Sequence, residues 1–488
     1  MIEARNPHRF LVSATHKSSG KTTIAIGLVH ALRERGLAVQ TFKKGPDYID
    51  PMWLTAASGR RCRNLDPYLS DIAEYRGAFR RHAATADVSV VEGNKGLYDG
   101  LALDGSNSNA ALAKALGLPV VLVIDARGMT RGIAPLILGY QAFDRDVRIA
   151  GVVLNNLGGS RHEAKLRMVI EHYTDVRVLG AVHCDPRLVI AERHLGLTPS
   201  NEADGVAQRI AAIGGLVAAQ VDMEAVLRVA ADVPPLAAPG DAIAEPFPPA
   251  ADPDLRIGVL QDRAFGFYYA DDLDALRAAG ATLVRIDALN DAQFPNVDGL
   301  FIGGGFPELH AAELEANATL RGKIRAAIDA GLPVYAECGG LMYLARSLTC
   351  NGQTHRMVGA IPGDVVMHDR PVGRGYVTLE EVAGFPWGIA PDGERTVRAH
   401  EFHYSSIENL PADLACVYAV KRGHGVDGRR DGIVVRNVLA SYAHLRSTGG
   451  NAWARRFVDF VRHADYRLRR QDNVVYFPPA RGREAMVM

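Results

Sequence analysis

Two apolar patterns alternate along the first half of the chain. "RFLVSA", "AVQTF", "DVSVVEG", "PVVLVIDA" and "RIAGVVLNN" are short, β-branched-rich runs without polar alternation, which predicts strands buried on both faces. Between the first two, residues 21–35 place Ile24, Leu28 and Leu32 on one helical face and stop at Gly36. Strands alternating with helices predict a doubly wound parallel sheet. The rhythm breaks at "VPPLAAPGDAIAEPFPPAADP", where Pro and Ala support neither period, and restarts with "LRIGVLQD", "ATLVRID", "DGLFIGGG" and "LPVYAE". The expected organisation is two α/β domains, residues 1–235 and 255–465, joined by a linker at 236–254 and followed by a basic, proline-broken tail at 466–488.

Composition narrows the function classes. A chain of 488 residues exceeds one ordinary core. Lys plus Arg (55) equals Asp plus Glu (55), so no global field recruits nucleic acid or a membrane surface, and an anionic substrate has to be held locally. The five cysteines are scattered, odd in number and lack a CxxC pair, which argues for a reducing compartment and against a disulfide framework or zinc site. "MIEARNPHRFLVSA" lacks the apolar run of a signal peptide, and no later run has membrane-spanning length; a cytoplasmic protein is expected.

Candidate chemistry begins at "THKSSGKTT", residues 15–23. Small residues let backbone amides converge on phosphate oxygens at a helix N-terminus, where the dipole also favours an anion. Ser18, Ser19 and Gly20 supply the small residues, Lys21 a cation for the β and γ phosphates, Thr22 a magnesium ligand, and Thr23 a further hydroxyl. Thr15 replaces the usual first glycine, but the strand-to-helix setting is retained. Lys17 reads as solvated. "KKGPDYIDP" and "VVEGNKGLYDG" bring Asp47, Asp50, Glu92 and Asp99 to the ends of neighbouring strands, where ligands of open α/β sheets gather. Acids beside a triphosphate hold Mg2+, since bare carboxylates would repel the phosphates. Each acid alone also fits a turn. Asn155 in "GVVLNNL" is expected to read the adenine.

The second half carries another reaction centre. In "VYAECGGLMYL" a strand, a tight turn and a helix set Cys338 at the turn, and Gly339 and Gly340 permit the sharp elbow that lifts a nucleophile above a sheet. "FIGGGFPE" offers Gly304 and Gly305 amides for an oxyanion hole. His444, after "GIVVRNVLASY", is a candidate base; His400 and His403 in "AHEFHYS" compete, and spacing does not choose.

The Cys338 elbow, the "GGG" loop and His444 resemble a class I glutamine amidotransferase domain, whose histidine is commonly followed two positions later by a glutamate; here Arg446 stands there. The N-terminal half is similar to ATP-dependent carboxylate-activating domains of the dethiobiotin synthetase type. In this order, "SSGKTT", "FKKGPDYIDP", "NLDPY", "EGNKGLYDG", "GGGFPE", "ECGGLMYL", "RPVGRGYV" and "HEFHYS" resemble the cobyrinic acid a,c-diamide synthases across nearly the whole chain. Asn94, Lys95, His16 and Lys17 depart from that pattern towards a branch proposed to amidate sirohaem or sirohydrochlorin.

The resemblance implies a ligase that uses ATP, Mg2+ and glutamine on a carboxylated tetrapyrrole, with a homodimer as a possible assembly. It implies Thr22, Asp47 and Glu92 as metal ligands, and Asp50, Tyr48 and Asp99 nearest the substrate carboxylate. Cys338 would form a glutamyl thioester, with His444 as acid and base. Arg370 and Arg374 either meet other substrate carboxylates or are surface arginines. Two rivals differ in class: a nucleotide-switch ATPase with an inert amidase domain, and a ligase for a small acid that has no use for a glutaminase.

Overall fold

The computed structural model describes residues 6–193, 196–235, 253–388, 393 and 395–466. Linker residues 236–252 and tail residues 467–488 lie outside the described residues. The chain divides into two compact units. The first comprises the residues before the linker together with two later segments, Gly266–Asp274 and Arg446–Asn451. Both segments fall within residues 255–465, the second domain expected from sequence. Phe267 and Tyr269 pack on Tyr48 at 5.4 and 4.7 Å, and Asp271 pairs with Arg63 at 2.7 Å. Such long-range partners leave no trace in local periodicity.

The first unit is built on strands β1 (His8–Ala14), β2 (Val39–Lys44), β3 (Arg63–Leu65), β4 (Val88–Glu92), β5 (Val120–Asp125), β6 (Ile149–Leu157) and β7 (Val178–His183), all parallel in the order β3-β2-β4-β1-β5-β6-β7. Leu11, Val12, Val91, Val121 and Leu122 are wholly buried, as the continuous apolar runs require of a sheet covered on both faces. Helix α1 (Lys21–Glu34) buries Ile24, Leu28 and Leu32, and α2 (Ile49–Ser58) follows β2. β1 is the point from which the strand order runs both ways, and Val12 is in register with Glu92 of β4. A crevice beyond the carboxyl ends of strands forms at such a switch point.

The second unit holds a nine-stranded mixed sheet. In spatial order its first five strands, Ala281–Ile286, Leu255–Leu260, Gly299–Ile302, Val334–Glu337 and Val438–Ser441, are parallel. The remaining four, Arg430–Val435, Cys416–Arg422, Gly373–Glu381 and Thr396–His403, continue it antiparallel. Leu300, Ile302, Val334, Ala336 and Leu341 form part of its core. Each of the Leu, Ile and Val side chains contributes about 1.5–3 kcal/mol on burial. All five cysteines are free thiols. No helix among the described residues is long and apolar enough to cross a membrane.

Candidate active site

The loop from β1 to α1 has the shape of a phosphate cradle. Ser18 and Gly20 take positive φ angles of 63° and 83°, and Gly20 caps α1. A Cβ on Gly20 would fall 2.1 Å from Asn155 Nδ2, so the position demands glycine. Asn155, expected to read the adenine, is buried, and its amide donates to the Ser19 carbonyl at 2.9 Å. One of its two N–H donors thus holds the loop. Ser19 Oγ donates to the His16 carbonyl at 2.9 Å, while His16, Lys17 and Ser18 are exposed. Thr23 Oγ1 donates to the Leu188 carbonyl at 3.3 Å.

Behind this loop lies a cluster of opposite charges. Thr22 Oγ1 donates to Glu92 Oε1 at 2.6 Å and to Asp50 Oδ2 at 3.3 Å. Lys43 Nζ sits 2.5 Å from Asp50 Oδ2, 3.0 Å from Glu92 Oε1 and 3.8 Å from Asp47 Oδ2. Burial alone would lower the Lys43 pKa, but these three carboxylates raise it above its ordinary value, so it remains an ammonium. Glu92 is pushed up by burial, against the pull of Lys43; burial would do the same to Asp50, yet there Lys43 prevails and holds it down. Lys21 is buried, and desolvation followed by repulsion from Lys43 lowers its pKa.

Lys43 is the member that sequence reasoning missed. Its signal was present: a lysine inside a strand buried on both faces requires a paired anion. The adjacent Lys44 donates to the Asn107 carbonyl at 2.5 Å. Asn64 is a second omission. Its amide donates to the carbonyls of Gly45 at 2.9 Å and Asp47 at 2.7 Å, fixing the loop that carries the acids.

Asp47 Oδ1 accepts the Ile49 and Asp50 N–H groups at 3.0 and 3.1 Å, at the start of α2. Tyr48 is buried against Phe267 and Tyr269. Asp99 is exposed, and its carboxylate accepts the Gly96 N–H at 2.9 Å, which fixes its place in the turn after β4. The donor set of Thr22, Glu92 and Asp50 suits a hard divalent cation. Glu92 Oε2 supports this fit, being buried without a hydrogen-bond partner among the described residues. Among the described residues no group of three or more His, Cys, Asp or Glu is arranged to hold a metal ion by itself.

In the second unit Cys338 stands between the strand Val334–Glu337 and the helix Gly339–Leu344, with φ 48° and ψ −101°. Its N–H donates to the Ser441 carbonyl at 2.8 Å. A Cβ on Gly340 would come within 2.3 Å of the Ile302 carbonyl, and one on Gly339 within 3.0 Å of Gly305 N. The elbow thus packs directly on the glycine loop, and the Gly305 amide lies beside it; Gly304 is buried next to Gly305 in the same strand.

His444 follows the strand Val438–Ser441, and its Nδ1 is 3.5 Å from Glu337 Oε2. Glu337 also accepts the Leu445 N–H at 2.8 Å and the Tyr335 hydroxyl at 2.6 Å. Position 446 holds an arginine, and the carboxylate that faces His444 comes instead from Glu337, the residue before the nucleophile in "AECGG". Thiol, imidazole and carboxylate together can generate a thiolate and return a proton to a leaving amine. His400 stacks on His444 with centroids 4.9 Å apart, and burial, then His444, lowers its pKa well below the usual value. His403 stacks on Tyr442 at 3.9 Å. Arg370 and Arg374 are exposed, Arg374 lying over the Phe402 ring at 5.4 Å.

A pH dependence follows from the triad. Burial would lower the His444 pKa, but the Cys338 and Glu337 side chains raise it to about 10. A pKa raised on folding means that the native state holds an additional proton above the ordinary histidine value near 6.5, and the associated stability is present below that value and lost as pH rises towards 10. The melting temperature is expected to fall between pH 7 and about 10 in buffers of matched ionic strength. Glu337→Gln should shift that fall to lower pH, and an unchanged profile would contradict the assignment.

A phosphate cradle with a carboxylate–lysine cluster in one unit and a cysteine elbow in the other define a glutamine-hydrolysing ligase with a nucleotide-binding unit. Residues 256–452 match the CobB/CobQ-like glutamine amidotransferase domain, and residues 46–191 match an AAA domain. The chain is 44% identical over 448 residues to the cobyrinate a,c-diamide synthase of Magnetococcus marinus, covering 91% of this chain and 95% of that one. It is 44% identical to the protein of that name from Methanosarcina acetivorans (91% and 93% covered) and 40% identical to that from Archaeoglobus fulgidus (92% and 96%). The chain belongs to the cobyrinate a,c-diamide synthase family.

Proposed function

We propose that this protein converts the a and c acetate carboxylates of cobyrinic acid to amides, with ATP as activator and glutamine as nitrogen donor. The observation that carries the reading is the presence on one chain of both the Thr22–Glu92–Lys43 cluster at a phosphate loop and the Cys338–His444–Glu337 constellation.

A carboxylate resists attack by ammonia because oxide is a poor leaving group. Transfer of the γ-phosphoryl group of ATP makes that oxygen part of a phosphate, which departs when ammonia adds to the acyl carbon. The loop amides and Lys21 hold the phosphates, and Lys43 holds Asp50 as a carboxylate and orients Glu92. Mg2+, when bound by Thr22 and Glu92, neutralises phosphate charge; Asp47 steadies the loop that carries Asp50. Tyr48 caps α2 and Asp50 lies in its first turn, just after Asp47, which supports a role for them near the substrate carboxylate. In the second unit, His444 already holds the proton given up by Cys338, and the thiolate sulfur attacks the glutamine amide. The Gly305 amide stabilises the oxyanion, and the proton passes to the departing ammonia. Water then cleaves the thioester to glutamate. Ammonia formed this way is neutral, whereas free ammonia at pH 7 is mostly the unreactive ammonium.

The test is mass spectrometry of cobyrinic acid incubated with glutamine and MgATP, with sirohydrochlorin and sirohaem in parallel. Two successive hydroxyl-to-amino mass changes on cobyrinic acid are expected. Change on sirohydrochlorin or sirohaem alone would reassign the ring, and ATP hydrolysis without change on any ring would sink the amidation reading.

A further inference from the structure

Arg446 stands where related amidotransferase domains carry a glutamate, and its surroundings give it a different task. The segment Arg446–Asn451 folds with the first unit, whereas His444 belongs to the second, so one residue, Leu445, separates the base from that segment. The Arg446 side chain is buried. Its Nη2 donates to the Asn64 carbonyl at 2.8 Å and to Asp271 Oδ2 at 2.8 Å, and its guanidinium lies 4.9 Å from the centre of the Tyr269 ring. Asp271 is shared with Arg63 at 2.7 Å, and the Ser447 N–H donates to Asp272 Oδ1 at 2.9 Å. The chain just beyond the histidine is thus held at two adjacent residues, by Arg446 Nη2 and by the Ser447 N–H.

What Arg446 grips is the support of the acid loop. Asn64, whose carbonyl it holds, uses its own amide to hold Gly45 and Asp47. On the other side, the Leu445 N–H and the His444 ring share one carboxylate, Glu337. A shift of the Asp47–Asp50 loop therefore has a hydrogen-bonded route through Asn64 and Arg446 to the backbone that sets His444 against Glu337. Chains of packed and hydrogen-bonded groups carry coupling between sites, and the coupling acts in both directions.

We propose that Arg446 is a positioning residue that ties occupancy of the acid loop to the alignment of His444, so that glutamine is hydrolysed chiefly when an activated carboxylate awaits ammonia. The inference rests on the amidation reading above. Arg446 touches no reacting atom; it acts through the three residues from His444 to itself.

The experiment measures glutamine hydrolysed per amide formed, and the stimulation of glutamine hydrolysis by MgATP plus cobyrinic acid, in the full-length protein and in Arg446→Met, Arg446→Lys and Asp271→Asn. Coupling between sites of this kind is worth about fivefold or more. Arg446→Met is expected to lose at least about fivefold of the stimulation and to raise the glutamine-to-amide ratio correspondingly. Its amidation from ammonium salts should stay within about twofold of the parent, with Arg446→Lys intermediate. Should Arg446→Met fail to fold, Asp271→Asn, which loosens the same grip, supplies the readout. An unmoved ratio and stimulation in variants that amidate from ammonia would overturn the role of Arg446 alone, as would parallel loss from both nitrogen donors at constant ratio. A parent protein that forms no amide from ammonia would overturn the amidation reading and this inference with it.

Discussion

Cys338→Ala is expected to lose glutamine-supported amidation by at least about 10³-fold, the scale seen when a nucleophile is removed from a unit that works together. Amidation from ammonium salts at alkaline pH should persist at close to the parent rate. The asymmetry arises because the two chemistries need different groups: the thiolate frees ammonia, whereas Lys21, Lys43 and the acids around them activate the carboxylate. Mass spectrometry of the tetrapyrrole with each nitrogen source makes the comparison. Cys338 also sits at a strained φ of 48°, where alanine is no better suited than cysteine, so little stability change is expected. Loss with both nitrogen sources in a folded variant would make Cys338 a structural residue and refute the two-site mechanism.

Lys43→Met has the second largest expected effect. Removing one partner from a buried ion pair costs about 3–5 kcal/mol, because the remaining charge keeps its desolvation penalty. Here the variant would leave Glu92, wholly buried, and Asp50 without the ammonium that stands 3.0 and 2.5 Å away. Amidation should fall by about 10²-fold with either nitrogen source, since the preorganised charges act on the activation step. Glutamine hydrolysis in the absence of MgATP should be unaffected. Adding Asp50→Asn to Lys43→Met should recover part of the stability measured by denaturant unfolding, but not the activity. Recovery of both would make Lys43 a counter-ion alone.

Much of this architecture was legible in the chain. The runs "PVVLVIDA" and "RIAGVVLNN" read as doubly covered strands because nothing but apolar side chains fits between two helical layers. The phosphate loop was legible because its chemistry is local: small residues, a lysine and a threonine in six consecutive positions between a strand and a helix. The cysteine elbow was legible for the same reason. Lys43 was visible as an anomaly, yet its partners lie seven and forty-nine positions away in sequence, at Asp50 and Glu92, and only the parallel register of β2 with β4 makes them neighbours.

Other features had no local sign. Asp99 has the same residue type and the same strand-end setting as its fellow acids, and what sets it apart is a hydrogen bond to Gly96. Asn155 and Ser19 meet because β6 and the phosphate loop end at the same edge of the sheet. Glu337 stands beside the nucleophile in sequence and far from the histidine, and only the pairing of Val334–Glu337 with Val438–Ser441 brings it to His444.

The sequence by itself determined the alternation of strands and helices, the phosphate loop, the nucleophile elbow and the two-reaction logic, because each depends on residues within about one turn or strand of one another. Tertiary structure alone decided which acids surround Lys43, which carboxylate orients His444 and what Arg446 grips. Those pairings depend on strand order and on packing between segments up to 382 positions apart, as for Arg446 and Asn64, and side-chain periodicity carries no information at that range.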